Sequence, residues 1–332
     1  MKRISHLVVP ALLFGILAFG SAIIILSVDS LKQVRRINVT AVMKTIDRDM
    51  EFWEVVRAGM EAAAKEFDVD LKIVGPVAES DVSGQIEIME QAVKSKPDAI
   101  ILSSTDVTLL VPSVERGHRE GIPIVTIDSG VDSKIPLSFV ATNNVEAGEK
   151  AGRTMAMLLP PGAAVAIISH VKGATTAIER EEGARKALAE NGNVKVIGTW
   201  FTNNYVENAY IIARQLVETE TGTAGILALN EVSTVGAGRA LRDLSLGGKV
   251  RLVGFDSSLF EIKLIEEGIL DATVIQQPFN MGYRSVRAAR DAVDGRKPET
   301  FIDTGSILIT AENLYTPENQ KILFPFVDRI RD

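Results

Sequence analysis

Short apolar runs rich in β-branched residues alternate with helix-length segments along most of this chain, and the alternation restarts near its middle. The stretch from Gly121 to Gly130 is typical, because it is apolar from Ile122 to Ile127 and then ends at Asp128. Such runs are strands buried on both faces, and strands separated by helices indicate βαβ units. The sequence therefore predicts an α/β fold with two doubly wound parallel-sheet lobes.

The predicted elements fall into two sets. In the first, strands are predicted over 37–43, 71–74, 99–102, 122–127 and 139–141, and helices over 51–67, 83–95 and 111–120. In the second, strands are predicted over 163–168, 194–199, 225–229, 250–255, 272–275 and 306–309, and helices over 147–159, 177–191, 208–218, 235–244, 259–267 and 281–294. A chain of 332 residues also exceeds what one core usually organises, which favours two lobes.

Composition excludes several classes of site. The formal net charge is -7, and an acidic chain is poorly suited to bind nucleic acid. The chain has no cysteine, which excludes disulfides, zinc thiolate sites and a lipid-modified cysteine. Its three histidines are too scattered in sequence to suggest a metal site. Neither a metal nor a cofactor is expected.

The N-terminal residues predict a membrane segment. Lys2 and Arg3 precede an uncharged, apolar run from Leu7 to Val28, which is long enough to cross a bilayer. The apolar chain continues past the small residues that would mark signal cleavage, which favours an uncleaved anchor over a cleaved signal. Residues 1–36 are therefore predicted to be an anchor or signal with a short stalk. The body from Ile37 is expected outside the cytoplasmic membrane, at the cell surface or in the periplasm.

Polar side chains recur at the predicted strand ends. They are Ser103, Asp128, Thr142, Asn230, Asp256 and Gln276, and aromatic residues lie near similar loops at Phe52, Trp53, Trp200, Tyr205 and Phe255. Ligands of open α/β sheets bind beyond the carboxyl ends of the strands. Sugar hydroxyls suit mixed donors and acceptors, and sugar C–H faces pack on aromatic rings. Taken singly, each polar residue could instead be a turn or a helix cap, and Trp53 could be a core residue.

The sequence contains little that indicates an enzyme. The run from Val235 to Gly238 contains Gly-x-Gly but lacks the third glycine of a dinucleotide-binding fingerprint, and it lies inside a predicted helix. No phosphate-binding P-loop, serine-nucleophile elbow or metalloprotease motif is present. These absences favour a binding protein over an enzyme.

From Ile37 onward the chain resembles the ribose-binding-protein-like periplasmic sugar-binding proteins, whose core is shared with lactose-repressor-type regulators. The resemblance rests on Glu51–Gly59, Pro97–Asp106, Gly121–Asp128 and Val253–Asp256, and on the inter-lobe crossings Val140–Asn144, Ile275–Pro278 and Phe301–Gly305. It implies the periplasmic binding protein type 1 fold, with two lobes joined by three crossings. Lobe 1 is then expected over approximately 37–142 and 277–304, and lobe 2 over approximately 143–276 and 305–332.

The resemblance also implies residue roles. Phe52 and Trp53 match an aromatic pair that stacks on the sugar, and Asp128 matches a carboxylate that binds hydroxyls. The other implied ligand-binding positions are Ser103, Arg180, Tyr205, Asn230, Asp256 and Gln276, and hinges are implied near Thr142, Gln277 and Thr304. Two departures leave the sugar open, since the ribose binders have Asn-Pro where this chain has Met50 and Glu51, and arginine where it has Ser129. A monosaccharide or a polyol is the expected ligand.

The implied function is extracytoplasmic sugar binding with delivery to an ABC-type permease and its ATPase. The alternative is a membrane-tethered sensor that presents its ligand to a histidine kinase or chemoreceptor, because a tether suits both. A transcription regulator is weaker, because a membrane segment stands where a DNA-binding helix-turn-helix would be. An enzyme comes last.

Overall fold

A computed structural model of the protein describes residues 36–190, 194–219 and 222–323. The predicted anchor over 7–28 lies outside the described residues, as does the stalk up to residue 35. Within the three described ranges, no helix combines the length and apolar character that a bilayer crossing requires. The body begins at Ile37.

Twelve strands and ten helices are described in the body. The strands are β1 (Ile37–Val42), β2 (Val69–Val74), β3 (Ala99–Leu102), β4 (Ile124–Ile127), β5 (Ser138–Ala141), β6 (Ala163–Ser169), β7 (Val194–Phe201), β8 (Thr223–Ala228), β9 (Arg251–Phe255), β10 (Ala272–Ile275), β11 (Phe301–Asp303) and β12 (Ile307–Thr310). The helices are α1 (Glu51–Glu66), α2 (Val82–Lys94), α3 (Val111–Arg119), α4 (Asn144–Leu158), α5 (Thr175–Glu190), α6 (Val206–Glu218), α7 (Glu231–Asp243), α8 (Leu259–Glu266), α9 (Pro278–Val293) and α10 (Pro317–Leu323).

The strands form two six-stranded sheets with the same internal order. The first is β11-β5-β4-β3-β1-β2 and the second is β12-β10-β9-β8-β6-β7. Of the described strand pairs, β10 with β12 is antiparallel and the others are parallel. Each sheet with its helices is called a lobe below, the first lobe holding β1 to β5 and β11. The predicted fold of two doubly wound lobes is confirmed.

The inner strands β3 and β4 of the first sheet are covered on both faces. All residues of β3, Ala-Ile-Ile-Leu, and of β4, Ile-Val-Thr-Ile, are buried. A strand buried on both faces reads as a continuous apolar run, so polar residues can only follow at its end. This places Ser103 after β3 and Asp128 after β4 at one edge of the first sheet.

In the second lobe, α4 and α5 lie unusually close. A Cβ atom built on Gly148 would sit 2.2 Å from the backbone oxygen of Arg180, and one built on Gly183 would sit 2.0 Å from that of Val145. Both distances are below van der Waals contact, so these helices can cross here only with glycine on each side. The crossing fixes the segment of α5 that carries Arg180.

The structure corrects the predicted starts of several helices. Helices α4, α7 and α9 begin at Asn144, Glu231 and Pro278, each several residues before the predicted 147, 235 and 281. Their first turns lack the apolar spacing that indicates a helix. Two of them are instead started by side-chain caps, since Asn143 Oδ1 accepts from Glu146 N and Asn230 Oδ1 accepts from Ser233 N, each at 3.1 Å. Strand β11 and helix α10 were not predicted as such.

Candidate ligand-binding site

A polar cavity lies between the two lobes. The first lobe contributes Lys44, Met50, Phe52, Trp53, Glu79 and Asp128, and the second contributes His170, Thr176, Arg180, Asn230, Glu231, Asp256 and Gln276. The predicted ligand residues are therefore brought together, with the exceptions of Ser103 and Tyr205. Carboxylates, cations, amides and aromatic rings face one space from both sides.

The two exceptions lie near the cavity without lining it. Ser103 is buried behind Asp128, where its hydroxyl donates to Asp128 Oδ2 at 3.4 Å. Tyr205 is 50% exposed and precedes α6, so the structure does not support it as the second-lobe aromatic ligand residue. Its neighbour Asn204 reaches the first lobe instead, since Asn204 Nδ2 donates to Glu79 Oε2 at 2.7 Å.

The first-lobe side of the cavity is organised around a buried lysine. Lys44 follows β1 and is 1% exposed, with Nζ 2.8 Å from Asp128 Oδ2 and 3.6 Å from Glu79 Oε1. Burial raises the pKa of Glu79, and the ammonium of Lys44 and a hydrogen bond from Trp53 oppose that shift. Lys44 holds two first-lobe carboxylates together at the edge of the cavity.

Phe52 and Trp53 form the aromatic part of the site. Their rings meet edge to face, with centroids 5.0 Å apart and planes at 87°. Trp53 is 5% exposed and also packs into the core of the first lobe, whereas Phe52 is half-buried. The pair therefore presents apolar surface to the cavity while one member supports the fold.

Arg180 is held in place by second-lobe groups. Its Nε donates to Asn144 Oδ1 at 2.9 Å, and its Nη1 donates to the backbone oxygen of Leu229 at 2.8 Å. The guanidinium lies 4.6 Å from the ring centroid of Phe255, and Nη1 is 3.9 Å from Asp256 Oδ2. A guanidinium fixed on several sides loses little entropy when it binds a ligand.

Asp256 and Gln276 form a pair beside Arg180. Gln276 Nε2 donates to Asp256 Oδ1 at 2.6 Å, and the backbone N–H of Glu231 donates to Asp256 Oδ2 at 3.2 Å. Burial raises the pKa of Asp256, and the nearby guanidinium opposes the shift. Among the described residues, Gln276 Oε1 is buried without a hydrogen-bond partner.

His170 is a second buried group with an unused atom. Its Nε2 lies 2.8 Å from Thr176 Oγ1, and its Nδ1 has no hydrogen-bond partner among the residues that the structure describes. Burial, together with the charges of Lys44 and Arg180, holds the pKa of His170 well below its ordinary value. The imidazole is therefore neutral, and one of its nitrogens is left for a ligand.

Glu231 adds a further carboxyl group to the second-lobe wall. Burial raises its pKa to about 8, and the carboxylates of Asp256 and Glu51 add to the shift. A carboxyl group in this state holds its proton near neutral pH and can both donate and accept hydrogen bonds. In the described ranges, no group of three or more His, Cys, Asp or Glu residues is arranged to hold a metal ion.

A family model described as a periplasmic binding protein domain matches residues 41–297. The chain belongs to this family. Family membership confirms the predicted resemblance, indicates an extracytoplasmic location and identifies the chain as a substrate-binding protein and not an enzyme.

Individual relatives of this periplasmic binding protein have sugars in their names. It is 28% identical over 285 residues to the D-ribose/D-allose-binding protein of Pseudomonas aeruginosa, covering 82% of this chain and 88% of the relative. A solute-binding protein structure from Agrobacterium vitis with bound D-fucose is 30% identical, with a TM-score of 0.83 over 86% of this chain and 99% of that one. A second structure, from Agrobacterium radiobacter in complex with D-arabinose, is 29% identical with a TM-score of 0.83, covering 87% and 99%.

The predicted hinge residues lie where this periplasmic binding protein passes between lobes. Thr142 Oγ1 donates to the backbone oxygen of Gly305 at 3.4 Å, and Thr304 N donates to that of Ala141 at 2.9 Å. The first and third crossings therefore run side by side. Gln277, in the second crossing, directly precedes α9. Their role as hinges stays a prediction.

The sequence does not predict several of the cavity residues. Lys44 and His170 each follow a strand, so the strand-end rule that selected Asp128 could have selected them as well. The strand-end residues predicted from the sequence include neither of them. Glu79, Thr176 and Glu231 carry no such signal, because their place in the cavity depends on how loops and helix starts meet across the lobes.

Proposed function

We propose that this protein binds a monosaccharide or a polyol between its lobes and delivers it to an ABC-type permease. The observation that carries the proposal is a cavity lined by carboxylates, cations and aromatic rings from both lobes. Gln276 Oε1 and His170 Nδ1, buried without partners among the described residues, support it further. Buried polar atoms are rarely left unpaired, so such atoms in a cavity suggest a ligand that completes them.

The chemistry of the cavity suits polyhydroxylated molecules. Asp128 and Asp256 can accept hydrogen bonds from hydroxyls, while Lys44 and Arg180 can donate to hydroxyl oxygens. The ring of Phe52 offers apolar surface for C–H groups, and neutral His170 offers a further hydrogen-bonding atom. A ligand with alternating donors, acceptors and C–H faces satisfies all three kinds of group at once.

The relatives support this ligand class without selecting one sugar. Their names specify ribose, allose, fucose and arabinose, which differ in ring substituents and stereochemistry. Ser129 stands where the ribose binders have an arginine, and the nearby cation here is Lys44, which follows a different strand. The cation beside Asp128 therefore comes from a different position in the chain, which argues against simple transfer of ribose specificity.

A thermal-shift screen tests the proposed ligand class. The purified protein is heated with D-ribose, D-allose, D-arabinose, D-fucose and a set of sugar alcohols, and with amino acids as the control class. A true ligand at 100 times its dissociation constant adds about 2.7 kcal/mol to the free energy of unfolding. A panel in which no sugar or polyol shifts the melting temperature, while another class does, would contradict the proposal.

Delivery is favoured over sensing because the two solved relatives are described as transporter solute-binding proteins. The apolar run over 7–28 is proposed to remain on the mature protein and hold it at the outer face of the cytoplasmic membrane. Membrane fractionation with N-terminal sequencing tests this part separately. A soluble mature form that begins after Ala22 would show that the segment is a cleaved signal.

A further inference from the structure

Helix α1 begins without a cap from its own lobe. Its N-cap residue is Met50, whose side chain makes no capping hydrogen bond, so the first backbone N–H groups of the helix need other acceptors. One acceptor comes from the second lobe, since Glu231 Oε2 accepts from the backbone N–H of Phe52 at 3.4 Å. A carboxyl oxygen from across the cavity therefore caps the helix that carries the aromatic pair.

The reverse contact is made one residue earlier on the same helix. Glu51 Oε1, in the first lobe, accepts from the backbone N–H of Leu259 at 3.4 Å. Leu259 is the first residue of α8, which belongs to the second lobe. Each lobe thus supplies one glutamate to the first turn of a helix in the other lobe.

We propose that Glu51 and Glu231 form a reciprocal latch, in which each carboxyl group caps a helix of the opposite lobe and thereby sets the balance between open and closed protein. Both hydrogen bonds exist only when the lobes meet, so their free energy belongs entirely to the closed form. The proposal rests on the proposed function in one respect, namely that a sugar enters and leaves as the lobes open.

Closure also gathers acidic groups around Glu231. Facing it are Asp256 after β9, Glu51 on α1 and Glu79 in the loop after β2. The charge of Glu231 also raises the pKa of Glu261 on α8. The two nearby cations are already engaged, because Lys44 lies between Asp128 and Glu79 and Arg180 lies beside Asp256. The latch is therefore made of carboxyl groups in surroundings that disfavour their charge.

This arrangement links closure to protonation. Opening the lobes would return Glu231 to water and its pKa toward the ordinary value of 4.5, whereas burial raises the pKa to about 8 in this structure. The closed form therefore binds a proton more tightly. Closure is fully favoured below the open-form pKa, and this contribution is lost as the pH rises from about 4.5 to about 8. One linked proton changes the closing equilibrium by at most about tenfold per pH unit.

Three substitutions separate capping from charge. Glu231→Gln keeps a side-chain acceptor for Phe52 N but cannot ionise, so it should retain the latch and flatten its pH dependence. Glu231→Ala removes the acceptor and should favour the open form at every pH. Glu61→Gln is the matched control, because Glu61 is an exposed carboxylate on the same helix.

The opening can be measured without a sugar. The chain has no cysteine, so Glu87→Cys on α2 and Glu207→Cys on α6 allow one nitroxide label per lobe in the full chain. Pulsed electron double resonance then gives the distance between the labels. In the otherwise unsubstituted protein and in Glu61→Gln, we expect the short-distance population to fall between about pH 5 and about pH 8. We expect little change with pH in Glu231→Gln and a long-distance population throughout in Glu231→Ala.

The proposal is overturned if Glu231→Ala shows the same distances as the unsubstituted protein, or if the latter shows no pH dependence. Glu51→Ala provides a second test of the capping step from the other side of the cavity, and circular dichroism establishes that each variant is folded. Calorimetric titration with D-fucose as the probe is run separately. If no sugar or polyol of the thermal-shift panel binds, the proposed function is refuted. If Glu231→Ala leaves the label distances unchanged, the latch alone is refuted.

Discussion

Asp128 and Asp256 occupy corresponding positions in the two lobes. Each follows an inner strand, β4 or β9, has a positive φ (60° and 72°) and donates its backbone N–H to a carbonyl of the adjacent strand at 2.9 Å, namely Val140 O and Val274 O. Aspartate is one of the few non-glycine residues that tolerate this left-handed conformation. The turn in each lobe thus directs a carboxylate into the shared cavity.

Asp128 pairs with the ammonium of Lys44, whereas Asp256 lies beside the guanidinium of Arg180. This difference predicts different effects of their substitution on stability. Asp128→Asn removes the closest anion of buried Lys44 and should destabilise the fold by about 3–5 kcal/mol. Asp256→Asn should cost less, about 1–3 kcal/mol, because Arg180 keeps its bonds to Asn144 and Leu229 while one of the two N–H donors to Asp256 loses its acceptor. Urea denaturation at neutral pH measures both variants, and equal losses would contradict the prediction.

The double variant Lys44→Met with Asp128→Asn isolates the ion pair. Removing both charges leaves no uncompensated cation next to the cavity, so the double variant should be more stable than Asp128→Asn alone. A double variant as unstable as the sum of both single variants would mean that Lys44 and Asp128 act independently.

Trp53 has two tasks, and its substitution should affect both. Trp53→Ala should lower the free energy of unfolding by about 3–5 kcal/mol, because the side chain is 5% exposed and packs in the first-lobe core. It should also weaken sugar binding. Phe52→Ala is the matched variant, since Phe52 lines the same cavity but is only half-buried, and it should weaken binding with a smaller loss of stability.

Thermal denaturation measures the stability of each variant, and calorimetric titration with the best sugar of the thermal-shift panel measures its affinity. A Trp53→Ala protein that melts like the unsubstituted one would show that Trp53 serves the ligand and not the core.

The strand–helix order and much of the cavity could be predicted because both depend on local patterns. A buried strand must be apolar, so the first polar residue after it, such as Asp128 or Asp256, marks the sheet edge where ligands bind. Asn230 shows the limit of that rule, because its oxygen caps α7 while its Nδ2 donates to Asn204 Oδ1 at 2.7 Å. From the sequence, Asn230 could be either a helix cap or a ligand-binding residue. In the structure it caps the helix and also lines the cavity.

The remaining cavity residues could not be predicted because they depend on contacts between the lobes. Glu79 enters the site through Lys44 and Asn204, and Glu231 enters it through the first turn of α1. Tyr205 shows the same limit. The side chain of the preceding residue, Asn204, contacts Glu79 of the first lobe, whereas the tyrosine ring is half exposed.

Glu261 predicts how the stability of the fold depends on pH. It is fully buried, and its Oε2 accepts from Ser258 N at 2.6 Å in a capping box, whereas Oε1 has no partner among the described residues. Burial, with Glu231 and Asp256 nearby, raises its pKa well above the ordinary value of 4.5. The folded state thus holds a proton that the unfolded state releases, so its stabilising effect is present below about pH 4.5 and is lost as the pH rises.

The melting temperature should therefore fall as the pH is raised from below about 4.5 into the alkaline range. Glu261→Gln keeps an acceptor for Ser258 N and carries no charge, so it should melt higher than the unsubstituted protein at the upper pH and much like it at the lower pH. Glu61→Gln again serves as the exposed control. If Glu261→Gln and the unsubstituted protein melt in parallel across this range, the buried carboxyl is not responsible for the pH dependence.

Arg180 should couple ligand binding to closure of the lobes. The cavity takes Lys44 and Asp128 from one lobe and Arg180 and Asp256 from the other, so a sugar that touches both sets binds the closed form better. Small-angle scattering should show a smaller radius of gyration at saturation with the best sugar of the panel. Thr142, Gln277 and Thr304 are the positions expected to absorb the motion.

Arg180→Lys keeps the positive charge but loses the planar guanidinium, which donates to Asn144 Oδ1 and to the backbone oxygen of Leu229 at the same time. The variant should therefore weaken both sugar binding and lobe closure. Arg185→Lys is the matched control, because Arg185 lies on the same helix and its contacts, to Glu181 and Thr199, lie away from the cavity. The control should bind and close like the unsubstituted protein. A radius of gyration that stays constant at saturation, in a protein that binds sugar, would mean that the lobes are rigid and that Arg180 contributes to affinity alone.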